Sequence, residues 1–266
     1  MFSKWQLAQK YLRYYLTSSN GKGHAIHSPF VFHFITKILN DKSPYPEYKK
    51  VENLRIKLLT DKTELIIEDF GAGSAVNKTN KRTVAEIARN SAKPKKFGQL
   101  LFRIAKYYKF QYVIELGTSL GLTTSYLSFG IKDTGYISTV EGAKSVANVA
   151  TYNFKSLDLK NITLYNEPFQ NCISELQEAY PWVDLLFVDG NHRKEPTIEY
   201  FNNFLGYMSK DGMMIFDDIH WSQEMEQAWV TIKAHPAVRC TIDLFFVGIV
   251  FFREEFREKQ HFNIRF

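Results

Sequence analysis

From residue 111 onward, short apolar runs alternate with stretches whose apolar positions recur every three to four residues. QYVIEL (111–116), GYISTVE (135–141), ITLYN (162–166), VDLLFVDG (183–190) and GMMIFDD (212–218) predict buried strands. The intervening LTTSYLSFG, AKSVANVATYNFKSL, FQNCISELQEAY and EPTIEYFNNFLGYM predict helices. Such alternation implies a parallel sheet covered on both faces. After a further helical stretch, SQEMEQAWVTIKAH, the rhythm changes. TIDLFF and GIVFF follow one another across a short turn, which demands an antiparallel pair. The first 110 residues instead carry helical spacing, in KWQLAQKYLRYYL, PFVFHFITKIL, EYKKVENLRIKLL, RTVAEIARN and GQLLFRIAKYY. Breaker-rich segments, TSSNGKGHAIHSP and DKSPYPE, separate them. A helical cap, residues 1–95, followed by an α/β domain, residues 96–266, is the expected division.

Composition narrows the setting. The 266 residues are enough to bury a full core without staples. The two cysteines, Cys172 and Cys240, argue against a disulfide framework or a cysteine-based zinc site, and point to a reduced, cytoplasmic protein. The opening MFSKWQLAQKYLRYYL has charges throughout and is unlike a signal peptide. LFFVGIVFF (244–252) is about half the length of a membrane span, so none is expected. The net charge of +6 is concentrated in the first hundred residues, in NKTNKRTV and SAKPKKFGQ, where it reads as a solvated loop or a surface for an acidic substrate.

Two glycine loops compete as a nucleotide-binding turn, IIEDFGAGSAV (66–76) and VIELGTSLGLTTSYL (113–127). Such a turn needs a buried strand before it, a helix after it, and an acid ending the next strand to hold ribose hydroxyls. The second loop meets all three conditions. Gly117 allows the sharp turn, Gly121 stands where the helix begins, and Glu141 ends the following strand. The first loop is followed by NKTNKRTV and SAKPKK, with no strand ending in an acid at the required distance. It reads instead as a turn able to face an anion, with Ser74, Lys78 and Arg82 beside Gly71 and Gly73.

VIELGTSLGLTTSYL, with Glu115 two residues before Gly117, resembles the first motif of class I S-adenosylmethionine-dependent methyltransferases. The fold so implied is a Rossmann-like, seven-stranded, mostly parallel sheet with an antiparallel C-terminal strand pair, here preceded by the helical cap. The resemblance covers residues 97–252 and implies S-adenosylmethionine as cofactor. Glu115, Gly117, Thr118, Ser119 and Gly121 would form its loop, Glu141 would hold its ribose, and Asn166 or Glu167 would stand near adenine. Asp189 is included among the cofactor-facing residues.

Further strands end in carboxylates, at Asp189 and at Asp217 and Asp218. Ligands bind beyond the carboxyl ends of such strands, and like charges brought together there need a cation or a proton between them. Oxygen ligands suit magnesium, calcium or manganese. The pattern resembles metal-dependent small-molecule O-methyltransferases, which implies Asp189, Asp217 and Asp218 as ligands of Mg2+ or another divalent cation. The ion would lower the pKa of an acceptor hydroxyl. His192 and His220, each close after a carboxylate, are candidate general bases, with Asp189 in the catalytic set.

The expected partner is therefore a small molecule bearing a hydroxyl. A nucleic-acid methyltransferase is the alternative enzyme, kept by the basic cap and weakened by the absence of a D/N-P-P-Y/F/W tetrapeptide and of a Pro-Cys nucleophile. A non-catalytic methyltransferase-like binding protein is the third reading. His24, His27 and His33 lack a regular ligand spacing with cysteine, so the aromatic run around them reads as packing and as part of a lid. The aromatic-rich cap is also a candidate homodimer surface.

Overall fold

The computed structural model describes residues 1–23, 26–67 and 81–266. The DFGAGS loop, with Gly71, Gly73, Ser74 and Lys78, lies outside the described residues, as does His24. In chain order the elements are α1 (Lys4–Thr17), α2 (Pro29–Phe34) continued by a π-helical turn (Ile35–Leu39), α3 (Pro46–Thr60), β1 (Glu64–Ile66), β2 (Lys81–Thr83), α4 (Val84–Asn90) and α5 (Lys95–Tyr108). Then follow β3 (Tyr112–Leu116), α6 (Leu122–Gly130), β4 (Tyr136–Val140), α7 (Lys144–Ser156), β5 (Ile162–Tyr165) and α8 (Phe169–Glu178). The chain closes with β6 (Val183–Val188), α9 (Lys194–Leu205), β7 (Met208–Asp217), α10 (Gln223–Ala234), β8 (Cys240–Asp243), β9 (Val247–Phe251) and β10 (Gln260–Asn263).

Two compact units result, Met1–Asp41 with Trp182–Phe266, and Lys42–Pro181. In the second, β4 pairs in parallel with both β3 and β5. Thr83 caps α4 in a reciprocal capping box with Glu86, which satisfies two amides that the first turn leaves open. The inner faces of α3, α4 and α5 share a core with α6, in which Val51, Leu54, Val84, Ile87, Phe102 and Tyr126 are buried together. A short antiparallel ladder, β1 with β2, sits apart from the main strands.

In the first unit β6 and β7 run parallel, while β9 is antiparallel to both β7 and β8. β10 then adds in parallel to the outer edge of β8, Gln260 opposite Cys240. Among the described residues the mostly parallel, Rossmann-like sheet therefore has eight strands, where seven were expected. The additional strand is β10. Its sequence, QHFN, has no apolar run, and as an edge strand it alternates partly buried and exposed residues. No helix among the described residues is long and apolar enough to cross a membrane.

Candidate active site

In the Lys42–Pro181 unit, the loop after β3 is shaped by three positive backbone angles, φ 114° at Gly117, 48° at Ser119 and 78° at Gly121. The amides of Gly117 and Thr118 donate to the carbonyl of Val140, at 3.1 and 3.0 Å, and fasten the loop to the end of β4. Gly121 donates to Thr118 O at 2.9 Å, and the buried Asn153 amide group donates to Leu120 O at 2.9 Å. Glu141, the next residue after β4, then closes the arrangement. One of its oxygens accepts from the Ser119 amide and the other from the Ala143 amide, each at 2.9 Å. Burial raises the pKa of this carboxyl, and the two amide donors oppose that rise without cancelling it.

Glu115 is fully buried within β3. Its Oε2 accepts from Thr139 Oγ1 at 2.6 Å and from Thr124 Oγ1 at 2.5 Å, and Thr139 in turn meets the Thr118 hydroxyl at 2.6 Å. The carboxylate thus anchors the floor of the loop through hydroxyls. Asn166 is exposed and donates to Glu141 O at 2.7 Å and Gly142 O at 3.2 Å, tying the segment after β5 to the segment after β4. Glu167 is exposed beside it.

In the other unit, Asp189, His192 and Asp217 each offer a ligand atom, and these atoms lie within 4.8 Å of one another. His192 Nε2 is 3.8 Å from Asp189 Oδ1 and 4.0 Å from Asp218 Oδ2. The His192 ring also lies against Trp221, with centroids 5.7 Å apart. The grouped set differs from the three aspartates expected from sequence. Asp218 adopts a left-handed φ of 53°, and its amide donates to Phe246 O at 2.6 Å, so it leaves the strand direction that Asp217 keeps. His192 stands with Asp189 and Asp217 instead, and its Nε2 is 4.0 Å from Asp218 Oδ2.

His220 has a different environment. Its Nδ1 lies 3.1 Å from Glu226 Oε1 and its Nε2 2.8 Å from Asp243 Oδ2. Asp243 also accepts from Trp229 Nε1 and the Phe245 amide, while Lys10 binds Glu226. Burial lowers the pKa of the imidazole, but pairing with Asp243 and Glu226 outweighs it and the net direction is upward. Both ring nitrogens are engaged by carboxylates, an arrangement that favours the protonated ring. A raised folded-state pKa means stabilisation that is complete below the unfolded value of about 6.5 and lost as pH rises through the folded one. The stability difference between wild type and His220→Phe should therefore shrink as pH rises above about 6.5. Denaturation curves across that rise would read it, and a constant difference would mean that the carboxylates do not raise the pKa of His220.

Several of these residues carry no motif. Thr124, Thr139 and Asn153 support the glycine loop, and their only signal in the sequence is a polar side chain at a position the apolar pattern would bury. Asp243 is likewise hidden within a strand.

Comparisons with known proteins bear on the fold. A family model described as a methyltransferase domain matches residues 114–219, from within β3 to just beyond β7. An S-adenosylhomocysteine-bound methyltransferase from Podospora anserina, PaMTH1, has the same fold, with a TM-score of 0.58 and 13% identity over 96% of this chain and 98% of that one. An O-methyltransferase from Bacillus cereus, solved with S-adenosylhomocysteine, gives 0.55 and 16% over 84% and 97%. TomG from Streptomyces achromogenes, an O-methyltransferase involved in tomaymycin synthesis and solved with S-adenosylmethionine, gives 0.55 and 16% over 62% and 82%. A curated relative, the uncharacterized protein R132 of Acanthamoeba polyphaga mimivirus, is 29% identical over 85 residues, 30% of this chain and 38% of that protein. The match thus spans well under half of that relative. The chain thus has the fold of these methyltransferases, and residues 114–219 match the methyltransferase domain model.

Proposed function

We propose that this protein binds S-adenosylmethionine and transfers its methyl group to a hydroxyl of a small molecule, with a divalent cation such as magnesium at the Asp189 cluster. The observation that carries the reading is Glu141, whose two oxygens are fixed by the Ser119 and Ala143 amides at the end of β4. An acid so oriented, after a glycine turn, suits two neighbouring ribose hydroxyls. Cofactor-bound O-methyltransferases among the structural neighbours support the same donor.

On this reading Gly117, Thr118, Ser119 and Gly121 provide close backbone approach, and Glu115 positions the loop through Thr124 and Thr139. Asn166 and Glu167 stand where the adenine would lie. S-adenosylmethionine, when bound, supplies an electrophilic methyl group, so the protein's share is alignment and charge. The cluster fits a cation by its chemistry, because two carboxylates and an imidazole offer converging oxygen and nitrogen ligands of the kind divalent ions take. Asp189, His192 and Asp217 would hold it, and such an ion lowers the pKa of a coordinated hydroxyl. The second reading makes His192 the general base, favoured by the nearby carboxylates of Asp189 and Asp218, which would stabilise the imidazolium it becomes. Residues 1–95 as the acceptor-selecting cap and residues 96–266 as the donor-binding domain belong to the same proposal.

Calorimetric titration with S-adenosylhomocysteine should show micromolar binding, and absence of binding overturns the donor assignment. Manganese titration followed by electron paramagnetic resonance should show a bound ion in wild type. His192→Ala should weaken it at least about tenfold, since losing even a hydrogen-bonding partner of a ligand costs about 10–100-fold. Unchanged manganese affinity would remove His192 from the ligand set. Methylation of RNA by a salt-sensitive complex, in place of a small hydroxyl compound, would favour the alternative enzyme.

A further inference from the structure

The helix α1 is fastened to its own unit by its more polar side. Lys10 Nζ meets Glu226 at 2.9 and 3.0 Å, Tyr14 donates to the carbonyls of Asp243 and Ile264, and Leu7 lines a small cavity with Trp221 and Phe245. No residue of the helix is buried. Trp5, Leu12 and Leu16, spaced i, i+7 and i+11, share the opposite side, with Ala8 and Tyr15 beside them. Their exposures are 72% for Trp5, 59% for Leu12 and 69% for Leu16, so the most apolar face of the helix is the one left to solvent. A lone exposed leucine has no special meaning, but a continuous stripe does.

Charge decides what could cover it. Residues 1–40 contain five Lys or Arg, at positions 4, 10, 13, 22 and 37, and no Asp or Glu. Lys4 and Arg13 are exposed on either flank of the stripe, and the Arg265 guanidinium lies 4.6 Å from the ring of Tyr15. A symmetric pairing of two copies through this face would set Lys4 and Arg13 against the same cations of the other copy, and the helix itself carries no acid to answer them. An anionic lipid surface answers both properties at once, accepting tryptophan and leucine at the headgroup boundary and attracting the flanking cations. We infer that α1 docks the protein on anionic membranes, lying in the interface plane with Trp5, Leu12 and Leu16 inserted. The helix is about 21 Å long, suited to lying on a bilayer and too short to span one.

Flotation of the full chain with phosphatidylcholine vesicles, with and without about 30 mol% phosphatidylserine, tests this. Wild type should float with the anionic vesicles, more weakly at high salt and little with phosphatidylcholine alone. Leu12→Ser with Leu16→Ser should abolish flotation. Both positions are exposed, and a wild-type melt would establish that the fold is intact. Lys4→Gln with Arg13→Gln, a variant that leaves the apolar stripe alone, should lower partitioning about twenty-five-fold, roughly fivefold for each charge. The inference fails if wild type stays free of all vesicles, or if the serine variant floats as well as wild type. It also fails if sedimentation shows a dimer that Leu12→Ser and Leu16→Ser dissociate while wild type ignores lipid. None of these outcomes depends on donor binding.

Discussion

Gly121→Ala should destabilise the Lys42–Pro181 unit severely. Gly121 has φ +78°, and a Cβ there would lie 2.5 Å from Phe154 Cε1, 2.8 Å from Cζ and 3.4 Å from the Ala150 methyl carbon. Two costs add. The left-handed backbone costs a non-glycine residue about 1–2 kcal/mol, and forcing a methyl group into a packed wall costs about 1–3 kcal/mol. Their sum, about 2–5 kcal/mol, is a large share of the roughly 5–15 kcal/mol that holds an ordinary domain. Urea denaturation of Gly121→Ala, Phe154→Leu and the double variant separates the two. Shortening Phe154 removes the ring atoms in the way, so the double variant should be more stable than the two single losses added together predict. The backbone part of the penalty should persist. A loss below about 1 kcal/mol for Gly121→Ala would mean that the α6 entry relaxes readily and does not constrain the loop.

This glycine was legible in the sequence because a short apolar run, a glycine-containing turn and a helical period occur in unbroken order. The same order exposed β3 to β7, α6 to α9 and the acid at Glu141. What stayed hidden has local reasons. β10 is a short edge strand with no apolar run, and its partner Cys240 lies 20 positions earlier in the chain. The β1–β2 ladder joins ELI to KRT, neither of which has a strand pattern of its own. The π turn over Ile35–Leu39, marked by the Asn40 amide reaching Ile35 O at 3.0 Å, continues a helical period without changing it.

The acid cluster was half legible for a more instructive reason. Adjacent aspartates at 217 and 218 look equivalent in a sequence, but successive residues point apart, and the left-handed turn at Asp218 separates them further. His192 and His220 also looked alike, each shortly after an acid. Only the fold brings Asp243 and Glu226 to His220, from a strand and a helix that follow it. Sequence spacing supplied the chemical types present, and tertiary pairing decided which of them lie together.

Glu141→Ala should produce the largest loss of donor affinity of any single substitution in the loop, because the side chain serves two structures at once. It orders the turn by accepting from the Ser119 and Ala143 amides. On the proposed reading it also accepts from the ribose hydroxyls. Hydrogen bonds to a charged acceptor contribute about 1.5–3 kcal/mol each, so losing two to the ligand weakens binding by at least about a hundredfold. Glu141→Gln keeps the volume but sets an amide NH2 against one of the two backbone donors, and its affinity should fall between alanine and wild type. The pH dependence discriminates further. Burial raises the folded-state pKa of Glu141, so its neutral form is the better buried, and its contribution to stability is present at acid pH and lost as pH rises through the raised value. Donor binding should move the opposite way, strengthening as the carboxylate forms, since the charged acceptor holds hydroxyls better. Affinity for S-adenosylhomocysteine should thus climb from about pH 4.5 upward in wild type and lose that rise in Glu141→Gln. An equal climb in both proteins would assign the titration to another group and leave Glu141 a structural brace for the loop.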